Sequence, residues 1–215
     1  MGTVDFSTLA WGSVDLGQYP KIVAPPPGPK SKEYHSRCTK YFKGLSGQVK
    51  LFPVVFESGE GCILRDVDGN EYYDFHNGFG SMVQGHAHPV IGKAVQDRYA
   101  LGTHFAAPTE DSIAVGDDLA KRWGLPKWRY TNSGSESTMD AIRIARAVTK
   151  RDTVMKIFGS YHGHHDYVMV SVPGNYGDFG PRDDYGSFPY GAGIPDAVVQ
   201  MTVAVPFNDL DAMEG

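Results

Sequence analysis

The chain has 215 residues, is 41% hydrophobic and carries a formal net charge of -5, enough for a buried core in one large domain or in a small domain beside part of another. Its basic residues are scattered, with no cluster longer than a pair such as Lys150-Arg151, which argues against nucleic acid or an anionic membrane as partner and points to a small molecule. Cys38 and Cys62 stand apart without a CxxC, and the first twenty residues show no basic stretch followed by an apolar one, so a cytoplasmic protein with unpaired thiols is expected.

Residues 1–34 show little helical or strand periodicity and contain Pro25-Pro26-Pro27-Gly28-Pro29. Fixed φ angles and missing donors favour an extended conformation there, and residues 1–48 read as arm and linker. Between Gly61 and Phe75, Asp68-Gly69-Asn70 forms a turn signal flanked by the β-favouring runs Cys62-Ile63-Leu64 and Glu71-Tyr72-Tyr73, which predicts a hairpin. After a glycine-rich stretch, Pro89 precedes Val90, Ile91, Ala94, Val95 and Tyr99 at helical spacing. Thr109, followed by Glu110 and Asp111, reads as the cap of a second helix that carries Ile113, Ala114, Leu119 and Ala120 and stops at Gly124-Leu125-Pro126. The organisation expected is an arm at 1–48, a hairpin and helix segment at 49–105, and a larger segment at 106–215.

The larger segment predicts a strand at 128–131, a turn at Asn132-Ser133-Gly134-Ser135, a helix to about Thr149, and a strand at 153–158. Thr138, Ala141, Ile142, Ala145 and Val148 line one face of that helix. Strand, helix and strand at this spacing form a βαβ unit with parallel pairing. Residues 173–193 are rich in Gly, Pro, Asp and aromatics, a composition and length expected of a functional loop. A last strand at 201–205 leads into Asn208-Asp209-Leu210-Asp211, the opening of another helix.

Chemistry concentrates at two loops. The Asn132-Ser133-Gly134-Ser135-Glu136 turn lies between a strand end and a helix start, where free N–H groups and the helix dipole converge. Gly134 lacks the Cβ that would hold an anion off the backbone, and Ser133 and Ser135 add hydroxyl donors, so the turn suits a phosphate monoester. Ser133 with Glu136 also matches the S-x-x-E capping box, which needs no ligand; on the turn alone, capping outweighs binding by about two to one. No GxGxxG or GxxxxGK(S/T) occurs, which leaves a dinucleotide or nucleoside triphosphate without support. Tyr161-His162-Gly163-His164-His165-Asp166 follows the next strand, at the end where parallel sheets bind ligands. An aromatic beside a glycine can lay its ring against a planar group. The histidines lack a second ligand set elsewhere, so no metal site is assigned.

These motifs resemble, in order, those of the class-III pyridoxal-phosphate-dependent aminotransferases, in the branch of glutamate-1-semialdehyde 2,1-aminomutase. The resemblance rests on Asn132-Ser133-Gly134-Ser135-Glu136 and Tyr161-His162-Gly163 at family-like spacing. It extends to Asp66-Val67-Asp68-Gly69-Asn70-Glu71-Tyr72-Tyr73-Asp74, which is similar to the family's D-x-D-G-x-x-Y-x-D hairpin, and to Gly85-His86-Ala87-His88-Pro89, similar to its G-H-x-H-P entry into a helix. Val205-Pro206-Phe207-Asn208-Asp209 resembles a stretch common in the aminomutase branch. The resemblance implies the α/β fold type I of PLP-dependent transferases, a three-layer αβα architecture with a mostly parallel sheet. The fold is expected to be incomplete, with residues 106–215 forming the first half of the large domain.

The resemblance further implies that Ser133, Gly134 and Ser135 hold the phosphate of pyridoxal 5'-phosphate, while Tyr161 stacks on the pyridine with His162 beside it. Phe79 falls where the aminomutases carry a tryptophan lining the substrate pocket, and Lys50 falls near a basic residue that some members use for a substrate carboxylate. The loss of an indole donor at Phe79 and a short loop at 44–52 leave the substrate open. The family's Schiff-base lysine and the aspartate facing the pyridine nitrogen are expected beyond Gly215, and neither Lys150 nor Lys156 has such a context. No catalytic residue is therefore assigned, and the chain alone is expected to be inactive, the N-terminal part of a longer enzyme. The reaction implied for that parent, a homodimer, moves an amino group between an amino acid or amine and a carbonyl acceptor. The alternatives are the intramolecular transfer of an aminomutase and a non-catalytic phosphate-binding half-domain.

Overall fold

The computed structural model describes residues 16–41, 52–172, 180 and 186–214, and the chain divides into two units, Met1–Ala107 and Pro108–Gly215. In the first, β1 (Phe56–Glu60), β2 (Ile63–Asp66) and β3 (Glu71–Tyr73) form an antiparallel sheet in that order. The β2–β3 pair is the predicted hairpin. Its loop is shaped by a fully buried carboxylate: Asp66 accepts from the backbone N–H groups of Asp68 and Asn70 at 2.9 and 2.8 Å, from Asn70 Nδ2 at 2.9 Å and from the Tyr72 hydroxyl at 2.7 Å. Burial pushes the Asp66 pKa up, but the hydrogen bonds from Tyr72, Asn70 and Asp68 outweigh it and hold the carboxyl below its ordinary value.

The same loop reaches back along the chain. Asn70 Oδ1 accepts from the N–H groups of Val23 and Ala24 at 2.8 and 2.9 Å, and the Asp68 carboxylate accepts from those of Lys30 and Ser31, both at 2.8 Å. Lys30 and Ser31 lie in the first turn of α1 (Pro29–Tyr41), so Asp68 satisfies helix donors that would otherwise be orphaned. This helix is the main departure from the extended arm expected at the N-terminus. Pro29 suits a first helical turn, and the missing cap comes from a residue 38 positions away. In α2 (Pro89–Tyr99) the helix forms where Pro89 and the apolar spacing predicted it.

In the second unit α3 (Glu110–Trp123) opens on a capping box between Thr109 and Ser112 and ends at Gly124, whose φ of +68° is the left-handed conformation glycine favours. After α4 (Gly134–Thr149), β4 (Val154–Ile157) pairs in parallel with β5 (Thr202–Val205), Val154 opposite Thr202 and Ile157 opposite Val205. Two short helices, α5 (Asp196–Val199) and α6 (Leu210–Glu214), flank β5, and the Ala212 N–H in α6 is met by Asp209 Oδ1 at 3.2 Å. The buried apolar residues Val168, Val170, Val172, Val199, Ala204 and Val205 all belong to this unit.

Two expectations are corrected here. Residues 128–131 are not a strand: they have no ladder partner among the described residues, and the parallel partner of β4 is β5. Their side chains are committed elsewhere, the Trp128 indole N–H to the Leu125 carbonyl and the Tyr130 hydroxyl to the Ser112 carbonyl of α3, each at 2.9 Å. The inner face expected of α4 is only partly covered, with Ile142 half-buried but Val148 77% exposed. Among the described residues no helix is long and apolar enough to cross a membrane.

Candidate functional site

Ser133 is the cap of α4 and its Oγ accepts from the Glu136 N–H at 3.2 Å. The Glu136 carboxylate reaches one residue further back than the usual reciprocal box and accepts from the Asn132 N–H at 2.6 Å. The capping interpretation of this turn is therefore realised, yet it leaves the anion-binding one intact. A hydroxyl has one proton and two lone pairs; Ser133 Oγ uses a lone pair on Glu136, and Ser135 Oγ uses one on the His164 N–H at 3.1 Å. Among the described residues neither serine proton has an acceptor, and neither do the N–H groups of Gly134 and Ser135. A Cβ placed on Gly134 would meet nothing within 4 Å. Four donors are thus unengaged at the positive end of a 16-residue helix, with open space over Gly134.

The second loop is pinned directly onto this turn. Besides the His164–Ser135 bond, the Thr138 hydroxyl lies 2.7 Å from the His162 carbonyl and 3.1 Å from His165 Nε2. Gly163 has φ +106°, and a Cβ there would fall 2.6 Å from both Cα and Oγ of Ser135. The space expected to admit a planar ligand beside Gly163 is in fact filled by Ser135, so this glycine serves the approach of the two loops. The Tyr161 ring is 63% exposed and has no ring partner among the described residues. His162 is exposed, and the residue lines a cavity of about 460 Å³ with Thr138, Ile142, Lys156 and Val168.

Lys156 is almost fully buried on β4, where Nζ donates to the Val170 carbonyl at 2.6 Å; burial lowers its pKa. It anchors the segment that returns from the Tyr161 loop. Phe79 belongs to the first unit, at φ +57°, with its ring edge-on to His76 at 4.1 Å; it lines a cavity of about 1030 Å³ with Asp74, His76 and His86. Lys50 lies outside the described residues.

A sequence model of the class-III aminotransferases matches residues 45–209. The chain belongs to that family. Among solved structures it is similar to an omega-transaminase from Sphaerobacter thermophilus, at 36% identity and a TM-score of 0.80 over 88% of this chain and 44% of that one. A transaminase with PLP bound is 34% identical, with a TM-score of 0.74 over 86% of this chain and 43% of that one. A glutamate-1-semialdehyde-aminomutase from Pseudomonas aeruginosa PAO1 is 29% identical, with a TM-score of 0.66 over 86% and 42%. The chain therefore spans less than half the length of these relatives. Its architecture is a part of the fold type I of PLP-dependent transferases.

In this member of the class-III aminotransferase family the structure brings together Ser135, Gly163 and the backbone of His162 and His164. Sequence reasoning missed Thr138, which it placed on the apolar face of α4. A polar atom one turn into a helix, on the side meant for the core, needs a partner, and that signal was available in the sequence. The Asp66 to Tyr72 run was expected as a hairpin and as a family mark, and its further role, clasping the N-terminal segment through Asp68 and Asn70, was missed.

Proposed function

We propose that this chain is the N-terminal part of a PLP-dependent class-III aminotransferase that moves an amino group between an amino acid or amine and a carbonyl acceptor. The observation that carries this reading is the seating of the Tyr161 loop on the Ser133-Gly134-Ser135 turn through Ser135, Thr138 and Gly163. The fit to a phosphate monoester follows from the four unengaged donors at the turn and the open space over Gly134. When bound, pyridoxal phosphate supplies an electron sink for the bonds at a substrate's amine-bearing carbon. The chain's own contribution is to grip the phosphate with the N–H groups of Gly134 and Ser135 and the hydroxyls of Ser133 and Ser135. The exposed Tyr161 phenol would cover the ring, with His162 beside it, fixing its orientation before any proton moves. Phe79 as a pocket wall, Lys50 as a carboxylate partner, and a homodimer as the working form rest on the family resemblance. The greater likeness to the omega-transaminase than to the aminomutase supports transfer between two molecules over transfer within one.

Titration of the chain with pyridoxal phosphate and with pyridoxal tests the site. Tight uptake that depends on the phosphate is expected. Gly134→Asp should weaken it at least about tenfold, since a carboxylate then competes for the same donors, with folding unchanged because nothing lies within 4 Å of the new Cβ. Equal affinity for both compounds, or for both proteins, refutes the site. An assay of the longer enzyme with and without an added amino acceptor separates transaminase from aminomutase, and turnover with none rejects the first.

A further inference from the structure

A threonine inside a helix usually returns its hydroxyl to a carbonyl one turn earlier, and Thr138 has that option in Gly134 and Ser135, each 3.1 Å away. Its shortest contact lies elsewhere, at 2.7 Å to the carbonyl of His162, 24 residues along the chain. With its single proton given to that carbonyl, the Thr138 oxygen accepts from His165 Nε2 at 3.1 Å. This assigns the proton of His165 to Nε2 and leaves Nδ1 buried without a hydrogen-bond partner among the described residues. One side chain thus holds the Tyr161 loop on either side of Gly163, while Ser135 holds the His164 N–H between them.

We infer that Thr138 is a positioning residue: it sets the Tyr161 loop at its working distance from the phosphate turn without touching the phosphate itself. The link to the cofactor rests on the function proposed above, whereas the brace between α4 and the loop does not. Removing the hydroxyl strands both the His162 carbonyl and the His165 N–H, and loosens the whole of 161–165. A ligand held only by the turn keeps its affinity, and a ligand that also needs the ring loses some.

The test compares Thr138→Val, which keeps the volume, with Thr138→Ser, which keeps the hydroxyl, in the 215-residue chain. Amide exchange at His164 without ligand should rise about tenfold in Thr138→Val, the effect of about 1.4 kcal/mol, and stay near wild type in Thr138→Ser. Affinity for pyridoxal phosphate should fall about tenfold in the valine variant, while affinity for inorganic phosphate changes less than about twofold. Exchange at His164 that is unchanged in folded Thr138→Val, or raised equally in Thr138→Ser, overturns the brace. A proportional loss of phosphate affinity overturns the positioning role. Should the valine variant fail to fold, His165→Phe and His165→Gln probe the same brace from the other side. Faster exchange in the first and recovery in the second supports it, and equal exchange in the two refutes it. If the wild-type chain takes up no pyridoxal phosphate, the cofactor reading fails while the exchange arm still decides the brace.

Discussion

Gly163→Ala is the sharpest test of the contact between the two loops. Gly163 has φ +106° and its Cβ would stand 2.6 Å from Ser135 Cα, whereas carbon atoms rest about 3.5–4.0 Å apart, so the loop must retreat by on the order of 1 Å. Two penalties combine: roughly 1–2 kcal/mol for an L-residue in left-handed backbone, and about 1–3 kcal/mol for overpacking against a main chain that cannot rotate away. Gly193→Ala separates them, because Gly193 has φ +100° and nothing within 4 Å of its Cβ; it carries the backbone penalty without the clash. The difference between the two variants is therefore about 1–3 kcal/mol. Against a stability of about 5–15 kcal/mol, the fold survives and the strain is relieved by displacing the 161–165 loop. Urea unfolding of both variants, with a pyridoxal phosphate titration, measures the two parts. Equal midpoints for the variants, together with wild-type affinity in Gly163→Ala, would refute the reasoning.

The clasp in the first unit makes its own predictions. Asp66 has a folded pKa below its unfolded value near about 3.9, so its contribution is fully present above that value and is lost as pH falls through the folded pKa. Unfolding monitored from pH about 6 to 2 should show stability falling below about 4, and Asp66→Asn should flatten that fall; an equally steep decline in the variant counts against the assignment. At neutral pH the same substitution turns an amide N–H toward the Tyr72 hydroxyl and Asn70 Nδ2 and should cost about 3 kcal/mol, read from chemical denaturation. Tyr72 is displaced the other way: burial, then its hydrogen bond to Asp66, push its pKa up to about 12. Raised above the unfolded value, it contributes stability below about 10 that is lost as pH rises through about 12. Phenolate absorbance should therefore show a late-titrating step that Tyr72→Phe removes, and a titration unchanged in that variant rejects the burial.

What could be read from the sequence, and what could not, divides by the distance between a residue and its partner. The β2–β3 hairpin, α2, α3, α4 and β4 are encoded within a few residues: Asp68-Gly69-Asn70 for the turn, Pro89 and Thr109 at helix starts, Gly124 at a stop. The helix α1 was hidden because its cap, Asp68, lies 38 positions from Lys30. The strand expected at 128–131 fails for the converse reason: apolar content predicts extension, but a strand exists only if another segment offers its ladder, and β4 finds β5 instead. At the site, Ser133, Gly134, Ser135 and Tyr161 were legible as motifs. Thr138 was missed, although its buried-side hydroxyl was a signal, because hydrophobic periodicity treats a threonine as neutral filler and ignores where its hydroxyl must go.

The choice posed by the Ser133 turn, cap or ligand site, dissolves once hydrogen-bond capacity is counted atom by atom. Helix capping consumes acceptor lone pairs, whereas gripping a phosphate consumes protons. Ser133 and Ser135 spend lone pairs on Glu136 and His164, and a hydroxyl that accepts from an N–H is a better donor through its own proton. The two roles reinforce each other along the chains Glu136 N–H to Ser133 to anion and His164 N–H to Ser135 to anion. Alanine at either position therefore removes a cap or loop tie as well as a ligand donor. Loss of affinity in Ser135→Ala accordingly cannot separate binding from loop position, whereas Gly134→Asp, which leaves both ties in place, can.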